Sequence, residues 1–311
     1  MSKVMLVKVK PEDDGMRLNR WFLKYYADLP LSRLQKLLRT KQIKVDGKKC
    51  EVSLKLSAGQ EIRIPPMDDT PKVREKGSVS AKDEAFITSL VIYKDQNIIV
   101  LNKPSGLAVQ GGTNTPRHID AMLEALKFGK EEAPKLVHRI DKETSGILVL
   151  ARDRKNAELL TRAFREHNLQ KTYLALVRGC PQKMSGQIKA PLEKVGEKST
   201  VVEDGKKAVT DYEVLDNLGE KFALVKAFPL TGRTHQIRAH LEYIGTPIVG
   251  DDKYFGEKRE KTANLKDKLY LHAYKIDLSG IYKKLEIKAE LPEHFACLLY
   301  TSPSPRDRQK S

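Results

Sequence analysis

Residues 138–151 read HRIDKETSGILVLA, a polar loop that runs directly into a block of apolar residues. The block ILVLA has the length and composition of a strand that is buried on both faces. Burying this strand holds the polar groups of the loop, including Asp141, at the edge of the core. An Asp before a Thr-Ser-Gly turn can simply cap that turn. The loop alone leaves open a second interpretation, an active-site loop whose Asp141 performs chemistry.

The composition supports a core of useful size and limits the class of protein. The 311 residues suffice for one large and one small domain, and 40% of them are hydrophobic. No run of about 18 apolar residues occurs, so we expect no membrane span. The first residues lack the apolar segment of a signal peptide. Cys50, Cys180 and Cys297 form no CxxC pair, which favours neither disulfides nor a zinc site and fits a reducing cytoplasm.

Charge is the strongest compositional signal. The chain has 57 Lys and Arg against 41 Asp and Glu, a net charge of +16. Residues 1–65 hold 15 of these bases and 7 of the acids, so +8 lies on about a fifth of the chain. Such a basic surface favours an anionic partner, most often nucleic acid. A basic protein without such a partner is the alternative.

Residues 12–65 have the pattern of a small separate α/β domain. Leu18, Trp21 and Phe22 have helical spacing, SRLQKLLRTKQ starts a second helix, and the Asp-Gly turn in KVDG indicates a hairpin. Basic residues follow one side of the second helix and continue beyond it: Arg33, Lys36, Arg39, Lys41 and Lys44. This clustering favours a grip on a phosphate backbone. The alternative is a charged helix face that is merely solvated.

The rest of the chain divides into a linker and a larger domain. Residues 66–88 are rich in Pro, Asp, Lys, Ser and Gly without periodicity, which predicts a linker. In residues 89–296 strands and helices mix without strict βαβ alternation, with a hairpin expected about Asn217–Gly219. This mixture predicts an α+β domain with a mixed, largely antiparallel sheet.

The last fifteen residues, 297–311, read CLLYTSPSPRDRQKS and continue none of these patterns. Their Pro and Ser content is typical of disorder. The stretch CLLYTSPSPRD is similar to the in-frame translation of a transposon-type sequencing adapter. We therefore expect this segment to be a disordered sequencing artefact without a function.

A second polar motif, TGRTHQIRAH at residues 231–240, concentrates donors and cations where a helix is expected to begin. Helix starts favour acidic residues, whereas this one carries Arg233, Gln236, Arg238 and His240. These groups need an anion, either an RNA phosphate or a carboxylate such as Asp141.

Sequence motifs for bound metals and nucleotides are missing. His235 and His240 are five residues apart and have no acidic or thiol set nearby, so they indicate no metal site. The chain contains neither the GxxxxGK[ST] loop that binds phosphates nor a dinucleotide-binding GxGxxG. A reaction without a cofactor is the simplest expectation.

The segment VHRIDKETSGILVLA resembles the signature H-R-L-D-x-x-T-S-G of the RluA family of pseudouridine synthases, with Ile140 in place of Leu. The segments VLNKPSGLAV, KTYLALVRG and LTGRTHQIRAHLEYIGTPIVGDDKY resemble three further motifs of that family. The resemblance covers roughly residues 88–296 and implies the pseudouridine synthase fold. Through GMRL, SRLQKLL, KVDG and AGQEI, the first domain resembles the RNA-binding domain of ribosomal protein S-four, which implies RNA binding.

The resemblance also implies roles for particular residues. Asp141 would be the catalytic carboxylate that attacks the uridine nucleotide, with Arg233 paired to it. Tyr173 would stack on the uracil, and Arg139 would displace or replace the extruded base. Further residues are predicted to bind substrate: Lys103, Thr144, His235, Gln236 and Arg238. A carboxylate nucleophile needs no metal, and His138 is interpreted as a structural hydrogen bonder.

Within the family, the segment LNKPSGLAVQGGTNTPRHIDAML is most similar to the synthase C branch, which acts on large-subunit ribosomal RNA. This implies ribosomal RNA as the partner, and we expect a monomer. Two alternatives stay open. One is a synthase that acts on tRNA, and the other is a catalytically idle RNA-binding factor of ribosome assembly, against which Asp141, Tyr173 and Arg233 argue.

Overall fold

A computed structural model of the chain describes residues 4–26, 29–66, 79–112, 115, 117–219, 221–254, 265 and 267–295. The segment 297–311, predicted to be an artefact, lies outside the described residues. The chain divides into two compact units, Met1–Ser78 and Val79–Ser311. Among the described helices, none is both long enough and apolar enough to cross a membrane.

The first unit packs two helices against a small antiparallel sheet. Its elements are β1 (Met5–Lys8), a 3-10 helix (Pro11–Asp13), α1 (Leu18–Tyr25), α2 (Leu31–Arg39), β2 (Lys44–Val45) and β3 (Glu61–Ile64), with the sheet order β1-β3-β2. Trp21 and Phe22 of α1 share one buried core with Leu34 and Leu38 of α2 and Ile62 of β3. The helical spacing of these residues gives each helix one apolar face, and both faces are buried here.

Two details of this unit correct the sequence prediction. The unit begins before residue 12, because β1 pairs with β3 and places Met5 opposite Ile64. A strand of four residues, none of them fully buried, is too short to show in the sequence. The predicted hairpin at KVDG is reduced to one bridge between Val45 and Lys48, and β2 pairs with β3 instead.

The second unit is built on a ten-stranded sheet. Its helices are α3 (Ala81–Ser89), α4 (Ile119–Met122), a 3-10 helix (Leu123–Leu126), α5 (Arg154–Arg165) and α6 (Gln236–Tyr243). Its strands are β4 (Val91–Lys94), β5 (Ile98–Lys103), β6 (Lys135–Leu136), β7 (Ser145–Ala151), β8 (Gln170–Arg178), β9 (Ser185–Lys189), β10 (Leu192–Val195), β11 (Lys198–Val201), β12 (Val209–Leu218), β13 (Phe222–Pro229), β14 (Leu271–Asp277) and β15 (Glu286–Lys288).

The sheet confirms the predicted α+β class with mixed, largely antiparallel pairing. Its strand order is β4-β5-β7-β14-β8-β13-β12-β9, with β6 beside β7 and β15 beside β14. Among the described strands, β7 and β14 form the one parallel pair, and β10 with β11 forms a separate hairpin. The hairpin predicted about Asn217–Gly219 is confirmed by the antiparallel pairing of β12 with β13.

Strand β7 lies inside the sheet and is buried over its whole length, as its apolar sequence predicts. At its start, Gly146 has a φ of +104°, and a Cβ added there would clash with the carbonyl oxygen of Ala273 on β14. Only glycine combines this backbone conformation with so close an approach of a second backbone. The Thr-Ser-Gly turn thus enters the sheet at a crowded point, and the loop that carries Asp141 is held at the core edge.

Helix α3 corrects part of the predicted linker 66–88. The Ser80 hydroxyl caps this helix by accepting a hydrogen bond from the Asp83 amide at 3.1 Å. Asp83 and Glu84 lie in its first turn, where acidic residues are favourable. Ile87 is the one residue of α3 that is fully buried. The sequence of α3 therefore lacks the regular spacing of apolar residues by which a helix is predicted.

Candidate active site

A cavity of about 470 Å³ lies in the second unit, a size within the range of about 300–1,000 Å³ that is usual for ligand sites. Three segments line it: the loop 137–144 before β7, the stretch from α5 into β8, and the loop 229–235 that leads into α6. Among the described residues, Asp141 is the only acid that lines the cavity. Five described lining residues are Arg or Lys: Arg139, Arg165, Lys171, Arg233 and Arg238. The cavity therefore suits an anionic ligand.

The loop that carries Asp141 is fastened through its backbone. The Lys142 carbonyl accepts hydrogen bonds from the Gly106 amide and from Lys103 Nζ, both at 2.9 Å. The Thr144 amide donates to the Asp141 carbonyl at 3.2 Å. The Asp141 carboxylate is 23% exposed, and among the described residues it accepts no hydrogen bond from its own turn. Asp141 therefore faces the cavity, and the interpretation as a turn cap is wrong.

Lys103 supports this loop and does not line the cavity. Its ammonium is fully buried and donates to the carbonyls of Pro104, Leu107 and Lys142 at 2.8–2.9 Å. These three carbonyls match the three donors of an ammonium group. Burial lowers the pKa of Lys103 to about 7. Its three hydrogen bonds hold the loop beside Asp141, and binding of substrate by Lys103 stays a prediction.

His138 is a structural residue, as predicted. Its Nε2 accepts a hydrogen bond from the Val149 amide of β7 at 2.8 Å, and its ring stacks on Phe164 with the centroids 4.1 Å apart. Burial, with a smaller contribution from Lys171, lowers the pKa of His138 to about 3. The imidazole is therefore neutral at pH 7, as the hydrogen bond requires, because an imidazolium has no acceptor nitrogen.

Arg238 on α6 supplies the cation that faces Asp141. The buried carboxylate of Asp251 accepts two hydrogen bonds from its guanidinium, from Nε at 2.6 Å and from Nη2 at 2.7 Å. The remaining nitrogen, Nη1, lies 3.7 Å from Oδ2 of Asp141. The centroid of the Tyr254 ring lies 5.1 Å from the guanidinium carbon of Arg238. Because Asp251 holds two of the three nitrogens in a bidentate contact, the third is directed at Asp141.

The structure does not place Arg233 in contact with Asp141, and a catalytic role of Arg233 stays a prediction. Arg233 lines the cavity, but its side chain is exposed and its Nε donates to the Lys207 carbonyl at 3.0 Å. No ion-pair contact joins Arg233 to Asp141, and both residues are described. Helix α6 begins at Gln236, so Arg238 lies in its first turn and points inward, whereas Arg233 precedes the helix. The motif contains both arginines, and only the start of the helix distinguishes them.

His235 also lies next to Asp141. It precedes α6 in the left-handed conformation, with a φ of +51°. Its Nε2 is 3.8 Å from Oδ2 of Asp141, and its Nδ1 is 3.2 Å from the Tyr254 hydroxyl. Burial lowers the pKa of His235, and the Asp141 carboxylate opposes that shift. The ring is therefore largely neutral at pH 7 and lies where a ligand in the cavity would touch it.

Gln236 and His240 satisfy groups of the protein itself. Gln236 accepts a hydrogen bond from the Thr231 hydroxyl at 2.7 Å and donates to the Thr210 hydroxyl at 2.9 Å. His240 lies 2.8 Å from the same Thr210 hydroxyl and 2.9 Å from the Ala190 carbonyl. Gln236 also lines the cavity, so its binding of substrate stays a prediction, whereas His240 needs no anion. Both residues connect α6 and its preceding loop to β12.

Three further predicted residues lie in the cavity wall. Tyr173 is on β8, and burial, reinforced by the Asp141 carboxylate, raises the pKa of its phenol, which stays protonated at pH 7. Thr144 is buried where the loop enters β7. Arg139 is exposed and adjoins both the cavity and the solvent. The structure thus brings Asp141, Tyr173, Thr144 and Arg139 together around one space.

Comparison with known proteins identifies the family. Residues 97–243 match the family model of RNA pseudouridylate synthases. The chain is 38% identical to ribosomal large subunit pseudouridine synthase C of Rickettsia bellii, over 90% of this chain and 95% of that protein. The chain belongs to the pseudouridine synthase family. It is therefore an isomerase that acts on RNA.

Two further relatives agree with this assignment. The synthase is 39% identical to RNA pseudouridine synthase 4, mitochondrial, of Arabidopsis thaliana over 80% of this chain, and it spans 62% of that protein's length. The solved structure of human RNA pseudouridylate synthase domain containing 4 superposes with a TM-score of 0.61 at 29% identity. That match covers 70% of this chain and 96% of the human chain.

Sequence reasoning missed three residues of the synthase's cavity region: Asp251, Tyr254 and Lys171. Asp251 and Tyr254 follow α6 and organise Arg238 and His235, while Lys171 stands two residues before Tyr173 on β8. One signal in the sequence could have indicated Asp251. A buried arginine needs a buried acid as its partner. After Arg238, the first acid is Glu242, which is followed by a turn at Gly245, and the next acids are the Asp-Asp pair in GDDKY.

In the first unit, the predicted RNA-binding residues follow α2 and the turn after it. Arg33, Lys36, Arg39 and Lys41 are exposed, and Lys44 is partly buried on β2. The buried residues Leu34 and Leu38 occupy the other side of the helix. Across the described part of the synthase, no group of three or more His, Cys, Asp or Glu side chains could hold a metal ion.

Proposed function

We propose that this synthase converts specific uridines of large-subunit ribosomal RNA to pseudouridine, with Asp141 as the nucleophile. The observation that carries the proposal is the position of Asp141. Among the described residues it is the only acid lining the cavity, it faces Arg238, and it shares the cavity with Tyr173. The relative named for large-subunit modification supports ribosomal RNA as the substrate, because the two chains align over nearly their whole lengths.

The chemistry begins with attack of the Asp141 carboxylate on the uridine nucleotide, after which the N-glycosidic bond between uracil and ribose breaks. The uracil turns within the cavity and forms a new bond to the ribose through carbon 5, and the bond from Asp141 to the nucleotide breaks, which restores the free carboxylate. Carbon 5 then loses its proton, and nitrogen 1 gains one. Substrate and product have the same atoms, so the reaction is an isomerisation and needs no redox partner. A carboxylate can act as such a nucleophile without a metal.

The neighbouring residues prepare this step. A uridine inside folded RNA must leave its stack before its glycosidic bond can enter a cavity of this size. In the proposal, the exposed Arg139 fills the space that the extruded base leaves. Tyr173 packs on the uracil ring close to the proton that is removed. Arg238, held by Asp251, keeps the carboxylate of Asp141 oriented.

The first unit contributes affinity in this proposal. It would be an RNA-binding domain of the ribosomal protein S-four type, joined to a catalytic domain of residues 89–296. Its exposed basic residues on α2 suit contacts to phosphates, which add affinity without reading sequence. We further propose that the synthase acts as a monomer in the cytoplasm.

The test is to incubate the protein and its Asp141→Asn variant with unmodified large-subunit rRNA and with tRNA, and to map pseudouridine. The native protein should modify defined rRNA sites. Asp141→Asn keeps the shape of the side chain but not the nucleophile, so it should form no detectable pseudouridine while binding RNA normally.

The matched control is Glu143→Gln, which neutralises an acid two residues further along the same loop. Glu143 is 49% exposed and does not line the cavity, so this variant should retain activity. Full activity of Asp141→Asn would refute the nucleophile. Modification of tRNA alone by the native protein would refute the proposed substrate and favour the tRNA-directed alternative.

A further inference from the structure

Lys171 is a cation of the cavity wall that has no partner among the described residues. It lies on β8 and alternates with Thr172, so its side chain shares a face with Tyr173 and lines the same cavity. Thr172 points to the other face and is buried. Within the part of the chain that the structure describes, the Lys171 ammonium has no hydrogen bond and no ion pair. A partly buried cation without a partner is costly, and burial lowers the pKa of Lys171 accordingly.

Two further basic side chains, His167 and Arg233, line the same cavity as Lys171. His167 precedes β8, and its ring lies beside Gly232 of the loop that carries Arg233. Both Lys171 and Arg233 are near enough to act on His167, since their charges add to the effect of burial in lowering its pKa. Arg233 is exposed, and only its Nε is used, on the Lys207 carbonyl. Lys171, His167 and Arg233 therefore form one basic group, which we call the basic wall.

Two other cations of the cavity, Arg238 and Arg165, have partners, whereas the exposed Arg139 has none among the described residues. Arg238 is neutralised by the buried carboxylate of Asp251 and also faces Asp141. Arg165 lies 3.8 Å from Glu166. No acid among the described residues forms an ion pair with Lys171 or Arg233. The positive charge of the basic wall is therefore left for a ligand, and it sits in the same cavity as the nucleophile.

We propose that Lys171, together with Arg233 and His167, binds a phosphodiester that directly flanks the target uridine. This inference rests on the proposed function, because it assigns part of the RNA substrate to the wall of the Asp141 cavity. A phosphodiester offers two anionic oxygens to donors that approach from different elements, here β8, the segment before it and the loop before α6. Held there, the backbone fixes how deeply the ribose enters, and the glycosidic bond is presented to Asp141.

The experiment uses the full-length protein and short RNA substrates that contain one mapped target uridine. One substrate is all-phosphodiester, and two others carry a neutral methylphosphonate linkage on the 5′ or the 3′ side of that uridine. Binding and single-turnover pseudouridine formation are measured for the native protein, Lys171→Met and Lys171→Arg. Lys155→Met on α5 is the control, because Lys155 is exposed and does not line the cavity.

One of the two neutral linkages should weaken binding to the native protein by roughly 10- to 100-fold, as expected for loss of a charged hydrogen bond. Lys171→Met should weaken binding of the all-phosphodiester RNA by a similar factor. It should weaken binding little further when the RNA already carries the neutral linkage that affects the native protein. Its salt dependence should fall by about 0.7–0.9 in the slope of log affinity against log salt. Lys171→Arg should restore part of the loss, and Lys155→Met should match the native protein.

The proposal is overturned if Lys171→Met and each neutral linkage reduce binding independently, so that their effects multiply. It is equally overturned if neither neutral linkage affects the native protein. Should Lys171→Met not fold, the same comparison is made with Arg233→Gln, whose side chain is exposed. If Asp141→Asn proves fully active on these RNAs, the proposed nucleophile fails, whereas the phosphate contact is still decided by the binding data.

Discussion

The basic residues of α2 and the two buried bases of the second unit, Arg238 and Lys103, have the same charge but opposite surroundings. Arg33, Lys36 and Arg39 are exposed to solvent on the first unit. In the second unit, Arg238 and Lys103 are buried. Arg238 donates two hydrogen bonds to the Asp251 carboxylate, and Lys103 donates three to backbone carbonyls. Exposed cations add affinity for any phosphate backbone. Buried cations cost free energy unless they are paired, so their positions are fixed by geometry and they can orient other groups.

The largest effect is expected when the buried pair is broken. Arg238→Met leaves the Asp251 carboxylate buried without its cation, which should lower the free energy of unfolding by about 3–5 kcal/mol. Pseudouridine formation should also be lost, because no guanidinium then orients the Asp141 carboxylate. Urea denaturation and a single-turnover assay measure the two effects separately.

A double variant, Arg238→Met with Asp251→Leu, sharpens this result. Replacing both partners by apolar groups removes the unpaired charge, so most of the stability should return. Activity should not return, because the cation beside Asp141 is still missing. An active double variant would show that Arg238 stabilises the fold but is not needed to orient Asp141.

An intermediate effect is expected at Lys103. Lys103→Met leaves buried carbonyls without a donor and should cost about 1–3 kcal/mol of unfolding free energy at pH 7. The exposed Lys142→Met is the control and should change stability by less than about 0.5 kcal/mol.

The pH dependence of this effect has a definite sign. Folded Lys103 has a pKa lowered to about 7, whereas in the unfolded chain the group keeps its proton to about pH 10.4. Above pH 7 the unfolded state therefore binds more protons, and this group contributes stability that rises with pH. The stability difference between the native protein and Lys103→Met should grow from pH 7 to pH 9 in denaturation experiments. If the stability difference stays constant or shrinks over this range, the pKa of folded Lys103 is not lowered to about 7.

The smallest effect on the fold is expected on α2. Replacing Lys36 and Arg39 together by Gln should leave the free energy of unfolding within about 0.5 kcal/mol. RNA binding should weaken, and its salt slope should fall by about 0.7–0.9 for each phosphate contact that is lost. Single-turnover rates at saturating RNA should not change. Lys55→Gln, an exposed lysine outside the α2 region, is the control, and an equal loss there would mean that only net charge matters.

Much of the fold and part of the site could be predicted because the signals are local. The apolar block before Ala151 predicts a buried strand, and the polar loop that adjoins it places Asp141 at the core edge. The mixture of strands and helices predicts the α+β sheet. Helix α3 escaped prediction because it begins with a capping serine and buries only Ile87. The short β1 escaped because its pairing with β3 bridges more than fifty residues of sequence.

The partner of Asp141 shows the limit of local patterns. Arg233 and Arg238 stand in one motif and look equivalent in the sequence. Arg238 faces Asp141 because Asp251, thirteen residues further along, holds its other two nitrogens. The role of Lys103 is likewise hidden from local patterns, because its ammonium donates to the carbonyl of Lys142, 39 residues further along the chain.

Periodicity, composition and short polar motifs thus determine the strands, the helices, the basic α2 and the position of Asp141. They do so because each depends on side chains close together in the chain. The choice of the cation that orients Asp141, the burial of Lys103 and the unpaired state of Lys171 depend on the folded arrangement. The free energy of a buried charge is set by partners that only folding brings near, and their spacing along the chain does not reveal them.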